Sequence, residues 1–410
     1  CRRHSAIVDY PDNPRQKQEM SMELPRLLDL PNLLSKKSFF LFGPRATGKS
    51  TLIKQQLSNS ARVVDLLESR MYLRLLNSPH DLESIIDAPG KSAFDRQSRY
   101  NVVVIDEIQR VPQLLNEVHR LIENKRLTFL LTGSSARKLR RGKANLLAGR
   151  VWEARLFPLT WKELPDFNLD RYLLYGGLPP VYLSEFPLEE LDAYVNTYLK
   201  EEIMAEGLIR KLPPFSRFLQ SAAIVNGEMI NFSKLASDCQ VPPSTVTEYV
   251  GLLEDTLVGF LLPSWKGSKK RKAISTGKFY FFDPGITHML AGTQTLDRNS
   301  HLYGKSFEQF IAMEIRAYLS YKRKKLPFSY WRSTHGYEVD FLIGEEIAVE
   351  VKASQKITAR DFKGLKALEE EKVFKHYLLV SQDPINTREK NLHALYWEDF
   401  LDNLWAERFV

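Results

Sequence analysis

The chain has 410 residues, 43% of them hydrophobic and 26% charged, which is ordinary for a globular protein and too long for a single core. No apolar run reaches transmembrane length and no secretory signal sequence opens the chain, so we expect no membrane partner. Cys1 and Cys239 lie far apart, which argues against a disulfide scaffold and favours a cytoplasmic location. The net charge of +8 and the pI of about 9.2 favour nucleic acid as a partner.

The N-terminal segment is polar and contains prolines, so we expect residues 1–21 to be a tail or tag, with Met20 or Met22 as a natural start. The stretch FFLFGPRATGKST at 39–51 follows it, an apolar strand and a glycine loop before a helix. A chance glycine turn is the alternative to a phosphate-binding loop. The predicted nucleotide-binding residues are Gly43, Pro44, Arg45, Ala46, Thr47, Gly48, Lys49, Ser50 and Thr51.

Lys49 would neutralise the β- and γ-phosphates, and the Ser50 hydroxyl would ligate Mg²⁺, so ATP and Mg²⁺ are the expected cofactors. Strand and helix patterns then alternate through ARVVDLL, NVVVIDE, RLTFLLTGSS and WEARLFPLT, which predicts a parallel sheet.

Asp106 and Glu107 emerge at the carboxyl end of the VVVIDE strand, where parallel sheets bind ligands. We expect Asp106 to hold the Mg²⁺ shell and Glu107 to polarise the attacking water; a plain acidic turn is the alternative. Ser134 is the predicted polar sensor of the γ-phosphate, with Ser135 and Thr132 as rivals.

The order of the phosphate loop, IDEIQ, LLTGSS, LAGR and YGGLPPVY resembles the bacterial and archaeal AAA-like ATPases that carry the DUF4143 domain, from about residue 22 to the C-terminus. The resemblance implies the additional-strand P-loop fold. It also implies that Arg150 of LLAGRV senses or stabilises nucleotide, although an arginine here could simply pair with a surface carboxylate. Pro180 departs from the family, whose members often carry an acidic residue at this position.

The middle of the chain has a helix-turn-helix pattern in NFSKLASDCQ and PPSTVTEYVGLLEDTLV, followed by two strands around a basic loop. This predicts a winged helix. The predicted nucleic-acid contacts are Ser244, Thr245, Thr247 and Tyr249 on the second helix and Lys269, Lys270 and Arg271 in the loop. The alternative is a winged helix used only for packing, because Glu248 is acidic and the helix has no arginine. Further basic clusters occupy 137–143 and 322–325.

The C-terminal stretch SYWRSTHGYEVDFLIGEEIAVEVKAS resembles the PD-(D/E)xK nucleases, whose chemistry needs two carboxylates on a metal and a lysine near the attacking water. The resemblance implies a metal at Asp340 and Glu350, with Lys352 beside it and Glu308 as a third acidic position. Strand alternation places Glu350 with Lys352 and Glu338 with Asp340. A structural ion-pair cluster is the alternative.

These patterns predict an α/β chain with an additional-strand P-loop NTPase (AAA-like) domain, a winged-helix middle domain and a restriction-endonuclease-like α/β C-terminal domain. After the tail, the predicted boundaries are 22–165 for the ATPase, 166–214 for a helical linker region, 215–290 for the winged helix and 300–410 for the nuclease-like domain. The expected function is ATP hydrolysis coupled to nucleic acid, in a homo-oligomer. DNA is the nucleic acid that we expect. The alternatives are an ATP-gated nuclease and an ATP-bound scaffold for a protein partner.

Overall fold

The computed structural model of the chain describes residues 24–58, 60–88, 101–135, 147, 149–199 and 212–409. The predicted tail 1–21 and the basic cluster 137–143 lie outside these residues. Within the described ranges, no helix combines the length and the apolar character needed to cross a membrane.

The first sheet has five parallel strands in the order β2-β3-β4-β1-β5. They are β1 Ser38–Phe42, β2 Ala61–Asp65, β3 Val102–Asp106, β4 Thr128–Gly133 and β5 Val151–Arg155. Because β4 lies between β1 and β3, the sheet has the additional strand that the sequence predicts. The α-helices that accompany it in the described residues are α1 Leu30–Leu34, α2 Lys49–Leu57, α3 Ser69–Asn77, α4 Asp81–Asp87 and α5 Leu114–Lys125.

Both faces of this sheet are covered, which explains why β1 reads as an uninterrupted apolar run. Phe40 and Phe42 pack into one core, while Phe39 and Leu41 pack into another on the opposite face. All five residues of β1 are buried. The strand therefore holds the phosphate loop that follows it in a fixed position.

Short helices connect this sheet to the middle of the chain. They are a 3₁₀ turn at Trp161–Glu163, α6 Leu169–Tyr175, α7 Pro179–Tyr182, α8 Pro187–Ala193 and a π-helical turn at Tyr194–Leu199. The YGGLPPVY motif contributes α7 and the two glycines before it. Pro179 lies close to the phosphate loop, since a Cβ on Gly48 would be 3.9 Å from its ring, and Pro180 is exposed.

The two glycines of this motif accommodate a buried carboxylate from the middle region. Asp283 Oδ2 accepts from the Gly177 N–H at 2.8 Å, and Asp283 is fully buried. A Cβ on Gly176 would lie 1.9 Å from Asp283 Oδ1, so only glycine allows the approach. Burial raises the pKa of Asp283 to about 6. The motif thus joins the first part of the chain to the middle part.

The middle region has the predicted winged-helix arrangement. Its elements are α9 Leu212–Ile224, α10 Phe232–Cys239, α11 Pro243–Asp255, β6 Gly259–Leu262, β7 Lys278–Phe281 and α12 Pro284–Ala291. Gln240 takes a left-handed conformation (φ 58°) at the end of α10, and Pro243 opens α11, so the turn between the two helices is tight. Strands β6 and β7 pair antiparallel.

The wing, residues 263–277, adds itself to the edge of the C-terminal sheet. Trp265 N donates to Tyr330 O at 2.7 Å, and Ile274 N donates to Arg332 O at 2.9 Å. Tyr330 N in turn donates to Pro263 O at 3.0 Å. The wing therefore covers a sheet edge that would otherwise present unpaired backbone groups.

The C-terminal region contains a six-stranded mixed sheet in the order β12-β13-β11-β10-β9-β8. The strands are β8 Phe328–Arg332, β9 Glu338–Ile343, β10 Ile347–Lys352, β11 His376–Ser381, β12 Thr387–Glu389 and β13 Leu392–Tyr396. The helices are α13 His301–Tyr321, α14 Lys363–Glu369 and α15 Trp397–Trp405. Helices α13 and α15 cover one face and α14 the other, which gives the predicted restriction-endonuclease-like layers.

Helix α13 is buried along most of its length, and its carboxylate at Glu314 is 1% exposed. Glu314 Oε1 accepts from the Trp161 N–H at 2.7 Å, and Oε2 accepts from Trp405 Nε1 at 3.0 Å. Burial raises the pKa of Glu314 to about 7 in spite of these two hydrogen bonds.

Because this pKa is raised from 4.5 to about 7, the folded state holds a proton that the unfolded chain releases, and stability should fall as pH rises through this window. We expect Glu314→Gln to lack this decline, which amounts to at most about 3 kcal/mol. Denaturant unfolding from about pH 4.5 to about pH 7.5 measures it, with Glu185→Gln, at an exposed position, as the control. An identical decline in wild type and Glu314→Gln would contradict this assignment.

Candidate functional site

The phosphate loop occupies residues 43–48, between β1 and α2. A Cβ on Gly43 would lie 2.6 Å from Leu156 O, so the loop passes too close to the chain after β5 for any other residue. Gly48 takes a left-handed conformation (φ 90°) and caps α2 without a side-chain hydrogen bond. The first N–H groups of α2 therefore have no side-chain cap, which is the arrangement that binds phosphate at a helix N-terminus.

Lys49 lies inside the curve of the loop. Its Nζ donates to Gly43 O at 2.7 Å and to Pro44 O at 3.0 Å, and the residue is 7% exposed. The loop is closed further by Thr47, whose hydroxyl donates to Pro44 O at 2.9 Å. The ammonium group thus lies where the loop is narrowest. The other predicted loop residues, Arg45, Ser50 and Thr51, are exposed.

The loop is also connected to the C-terminal region through Arg26. Its guanidinium donates to Thr47 O at 2.6 Å, to Phe157 O at 2.7 Å and to the Tyr321 hydroxyl at 3.3 Å. Arg26 Nε pairs with Glu163 Oε1 at 3.0 Å. A single buried arginine therefore lies between the phosphate loop and the last turn of α13.

Asp106 ends β3 beside the start of α2, and the structure brings it together with two hydroxyls. Ser50 Oγ donates to Asp106 Oδ2 at 3.0 Å, and the Thr132 hydroxyl donates to Oδ1. Asp106 is 7% exposed. The predicted pair of Mg²⁺ residues, Ser50 and Asp106, is therefore in direct contact, although the two residues are 56 positions apart.

Glu107 follows in a left-handed conformation (φ 60°), which turns its side chain away from the strand. Its N–H donates to the Thr132 hydroxyl at 3.0 Å. The Gln109 amide group donates to the Glu107 carboxylate and to Ser134 Oγ, the latter at 3.3 Å. Of the three candidate sensors, Ser134 is thus close to Glu107, Thr132 bonds Asp106, and Ser135 is buried.

Gln109 is a residue of this site that the sequence patterns did not single out. It is part of IDEIQ, and its position two residues after the predicted catalytic carboxylate Glu107 was the available signal. A Cβ on Gly133 would lie 2.8 Å from Gln109 Oε1, so the glycine makes room for this side chain. Among the described residues, the buried Oε1 atom has no hydrogen-bond partner.

Arg150 lies on the surface. Its Nε pairs with Glu123 Oε1 at 2.5 Å, and about half of each side chain is exposed. The hydrogen bond from Arg150 lowers the pKa of Glu123. This ion pair is the arrangement that the alternative interpretation of Arg150 predicts.

The predicted nucleic-acid residues of α11 divide into two groups. Ser244 and Thr247 are exposed and Thr245 is half-buried. Tyr249 was expected among these contacts, but it packs inward, 5.0 Å from the ring of Phe215. The hydrophobic spacing of the helix places it on the core face.

The basic loop is partly used within the chain. Arg271 pairs with Glu370 Oε2 at 2.9 Å and donates to Ala367 O at 2.8 Å, so it fastens the wing to α14. The backbone N–H groups of Lys269 and Lys270 both donate to the carboxylate of Glu371 at 3.0 Å. The side chains of these two lysines remain exposed.

Glu350 and Asp340 lie close to Lys352 in the C-terminal region. Lys352 Nζ pairs with Glu350 Oε1 at 2.6 Å, and Asp340 Oδ2 accepts from the Val351 N–H at 2.8 Å. Burial and then the charge of Asp340 raise the pKa of Glu350. Although burial opposes it, the carboxylates of Glu350 and Asp340 raise the pKa of Lys352.

Lys278, from β7, is the member of this cluster that the sequence patterns missed. Its Nζ lies 2.6 Å from Glu338 Oε1, 3.1 Å from Glu308 Oε1 and 3.5 Å from Asp340 Oδ1. The sequence signal that could have revealed it is a lysine at the start of the apolar strand KFYF. Strand alternation places this lysine on the same face as Tyr280. In the described part of the chain, no group of three or more histidine, cysteine, aspartate or glutamate residues is arranged to hold a metal ion.

Family models match most of the chain. An AAA domain matches residues 35–165, a domain of unknown function (DUF8612) matches 166–297, and a domain of unknown function (DUF4143) matches 303–400. An uncharacterized protein of Mycobacterium tuberculosis is 27% identical over 323 residues, covering 76% of this chain and 69% of the relative. One of Methanocaldococcus jannaschii is 23% identical over 339 residues, covering 76% and 73%.

Among solved structures, Drosophila ORC bound to AT-rich DNA and Cdc6 is similar at 10% identity, over 64% of this chain and 87% of that chain. Its TM-score of 0.22 is too low to add to the assignment. The assignment depends instead on the family models and on the phosphate loop within its five-stranded parallel sheet. The chain therefore combines an AAA-like P-loop domain at residues 35–165 with a DUF4143 region at residues 303–400, the combination that its sequence motifs resemble.

Proposed function

We propose that the chain is a Mg²⁺-dependent ATP hydrolase that acts with nucleic acid. The observation that carries the proposal is the contact between Ser50 and Asp106 at the carboxyl end of the parallel sheet. Glu107 lies at the same end, where it contacts Thr132 and Gln109. Nucleotide binding alone needs the loop and Lys49. A carboxylate beside the hydroxyl and a second carboxylate at the end of the same strand are what hydrolysis needs in addition.

The phosphates would bind where the loop now surrounds the Lys49 ammonium. Lys49 would exchange the Gly43 and Pro44 carbonyls for phosphate oxygens, which are stronger partners because they are charged. The N–H groups at the start of α2 would complete the binding of the phosphates.

The oxygen donors Ser50 and Asp106 fit a hard divalent cation, and they would hold Mg²⁺. When bound, Mg²⁺ neutralises charge on the transferred phosphoryl group. The Thr132 hydroxyl fixes the orientation of Asp106 and also accepts the N–H of Glu107. Thr132 therefore couples the two carboxylates.

Glu107 would polarise the attacking water. Gln109 orients the Glu107 carboxylate by donating a hydrogen bond to it. Ser134, on the other side of the Gln109 amide, would contact the γ-phosphate. Arg150 is exposed, and we propose that it contacts the nucleotide of a neighbouring subunit in a homo-oligomer. To do so it would break its ion pair with Glu123.

DNA is the proposed partner because the chain carries a net charge of +8 and because exposed lysines and hydroxyls remain on the winged-helix region. Lys269, Lys270, Ser244 and Thr247 offer the accessible groups. Thr245 is half-buried, and Arg271 is held by Glu370, so they are weaker candidates. A nuclease activity is not part of the proposal, because Lys278 lies among the carboxylates that would bind the metal.

Glu107→Gln should leave ATP affinity unchanged and slow phosphate release by about 10²-fold or more, because the amide cannot polarise water. Lys49→Ala should lose binding and turnover together. Calorimetry and a phosphate-release assay measure the two quantities, with Glu185→Gln, exposed and away from the loop, as the control. Native turnover in Glu107→Gln would reject hydrolysis at this carboxylate. ATP binding without turnover in wild type would favour the scaffold.

The double variant Lys269→Ala/Lys270→Ala should bind DNA more weakly and reduce the slope of log K against log salt by about 2, because two phosphate contacts are lost. The matched control is Lys36→Ala/Lys54→Ala, which removes two exposed lysines from the AAA domain. Fluorescence anisotropy with labelled duplex over a salt series measures both. Equal losses in the two double variants, or none, would reject the wing as the DNA surface and leave the ATPase proposal standing.

A further inference from the structure

The carboxylate cluster of the C-terminal region contains a cation that belongs to another part of the chain. Lys278 opens β7 of the winged helix, and the residue is 3% exposed. Its ammonium group lies within 4.0 Å of three carboxylates, those of Glu308, Glu338 and Asp340. These carboxylates come from α13 and β9, so the contact joins two regions of the chain.

Three positive side chains compensate most of the charge of the four carboxylates without a metal. Lys278 faces three carboxylates and Lys352 faces the fourth, Glu350, so two ammonium groups supply the charge that one divalent cation would bring. Arg332 adds a third positive charge at the exposed side of Glu338, at 3.0 Å. Buried carboxylates without such partners would be strongly unfavourable.

Most of the carboxylate oxygen atoms that a metal would need are also engaged; the exception is Glu350 Oε2, which is buried and has no hydrogen-bond partner among the described residues. Asp340 Oδ2 accepts from the Val351 N–H, and Oδ1 faces Lys278. Glu308 Oε1 accepts from both Lys278 and the Tyr280 hydroxyl, the latter at 2.5 Å. Glu350 Oε1 accepts from Lys352. A divalent cation would have to expel Lys278 to reach Asp340, so the residues present do not fit a metal site.

The backbone of Lys278 leaves little freedom for such an expulsion. Lys278 pairs with Leu262 in β6 on one side and forms a bridge with Met229 on the other. Ile230 N donates to Gly277 O at 3.0 Å, directly before the lysine. The ammonium group is therefore delivered by a strand that is fixed on both sides.

We infer that the ammonium group of Lys278 is the cation that occupies this cluster. The PD-(D/E)xK-like domain of this chain therefore binds the winged helix through buried ion pairs and is not a metal-dependent nuclease. The wing strands added to β8 and the contact of Arg271 with Glu370 belong to the same interface. The inference does not depend on ATP hydrolysis, because none of these residues belongs to the nucleotide site.

The test uses Mn²⁺ as the probe on the full chain, freed of metal and nucleotide. Wild type should show no Mn²⁺ site that depends on Asp340, whereas Lys278→Ala should gain one such site. The double variant Lys278→Ala/Asp340→Asn should lose it again. Mn²⁺ bound by wild type and lost in Asp340→Asn would overturn the inference, as would a folded Lys278→Ala that binds no Mn²⁺.

A second measurement covers the case in which Lys278→Ala does not fold. Lys278→Met should lower Tm because it leaves the carboxylates unpaired in a buried site. Neutralising two of them as well, in Lys278→Met/Glu308→Gln/Asp340→Asn, should return part of the lost Tm. A triple variant with a lower Tm than Lys278→Met would show that Lys278 does not act as their counter-ion.

Discussion

Helix α13 is buried on almost every side, and its polar side chains can be satisfied only by residues from the rest of the chain. Glu308 meets Lys278 of the winged helix, and Gln309 Nε2 donates to Phe281 O at 2.9 Å. One turn further, Glu314 accepts from the Trp161 N–H after the first sheet. At its last residue, the Tyr321 hydroxyl accepts from Arg26 and from the Phe157 N–H. Because these partners come from the winged-helix region and from the chain around the first sheet, they fix how both regions pack against the helix.

This helix contacts both the phosphate loop and the carboxylate cluster. The phosphate loop reaches the last residue of α13 through one side chain, since Arg26 bonds Thr47 O and the Tyr321 hydroxyl. The carboxylate cluster reaches the N-terminal half of α13 through Glu308. A change in the phosphate loop can therefore reach the C-terminal region through the one buried side chain of Arg26. The wing is joined to that region directly, by backbone hydrogen bonds.

Local patterns predicted the parts of the molecule that depend on neighbouring residues. The phosphate loop follows from the order of strand, glycines and helix, and Asp106 and Glu107 follow from their place at the end of an apolar strand. The convergence of Asp340, Glu350 and Lys352 follows from strand alternation. The position of Lys278 in the cluster was not predicted, because Lys278 lies 62 residues before Asp340 and contacts it only through the packing of two regions. The ion pair of Arg271 with Glu370 was not predicted for the same reason, since 99 positions separate the two residues.

We propose that the divalent cation of this chain binds beside the phosphate loop, whereas an ammonium group occupies the C-terminal cluster. Anomalous diffraction from crystals grown with Mn²⁺ and a non-hydrolysable ATP analogue tests both sites at once. We expect one Mn²⁺ peak per chain, next to Ser50 and Asp106, with Lys278 still between Glu308 and Asp340. A peak shared by Asp340 and Glu350, or no peak beside Ser50, would contradict this proposal.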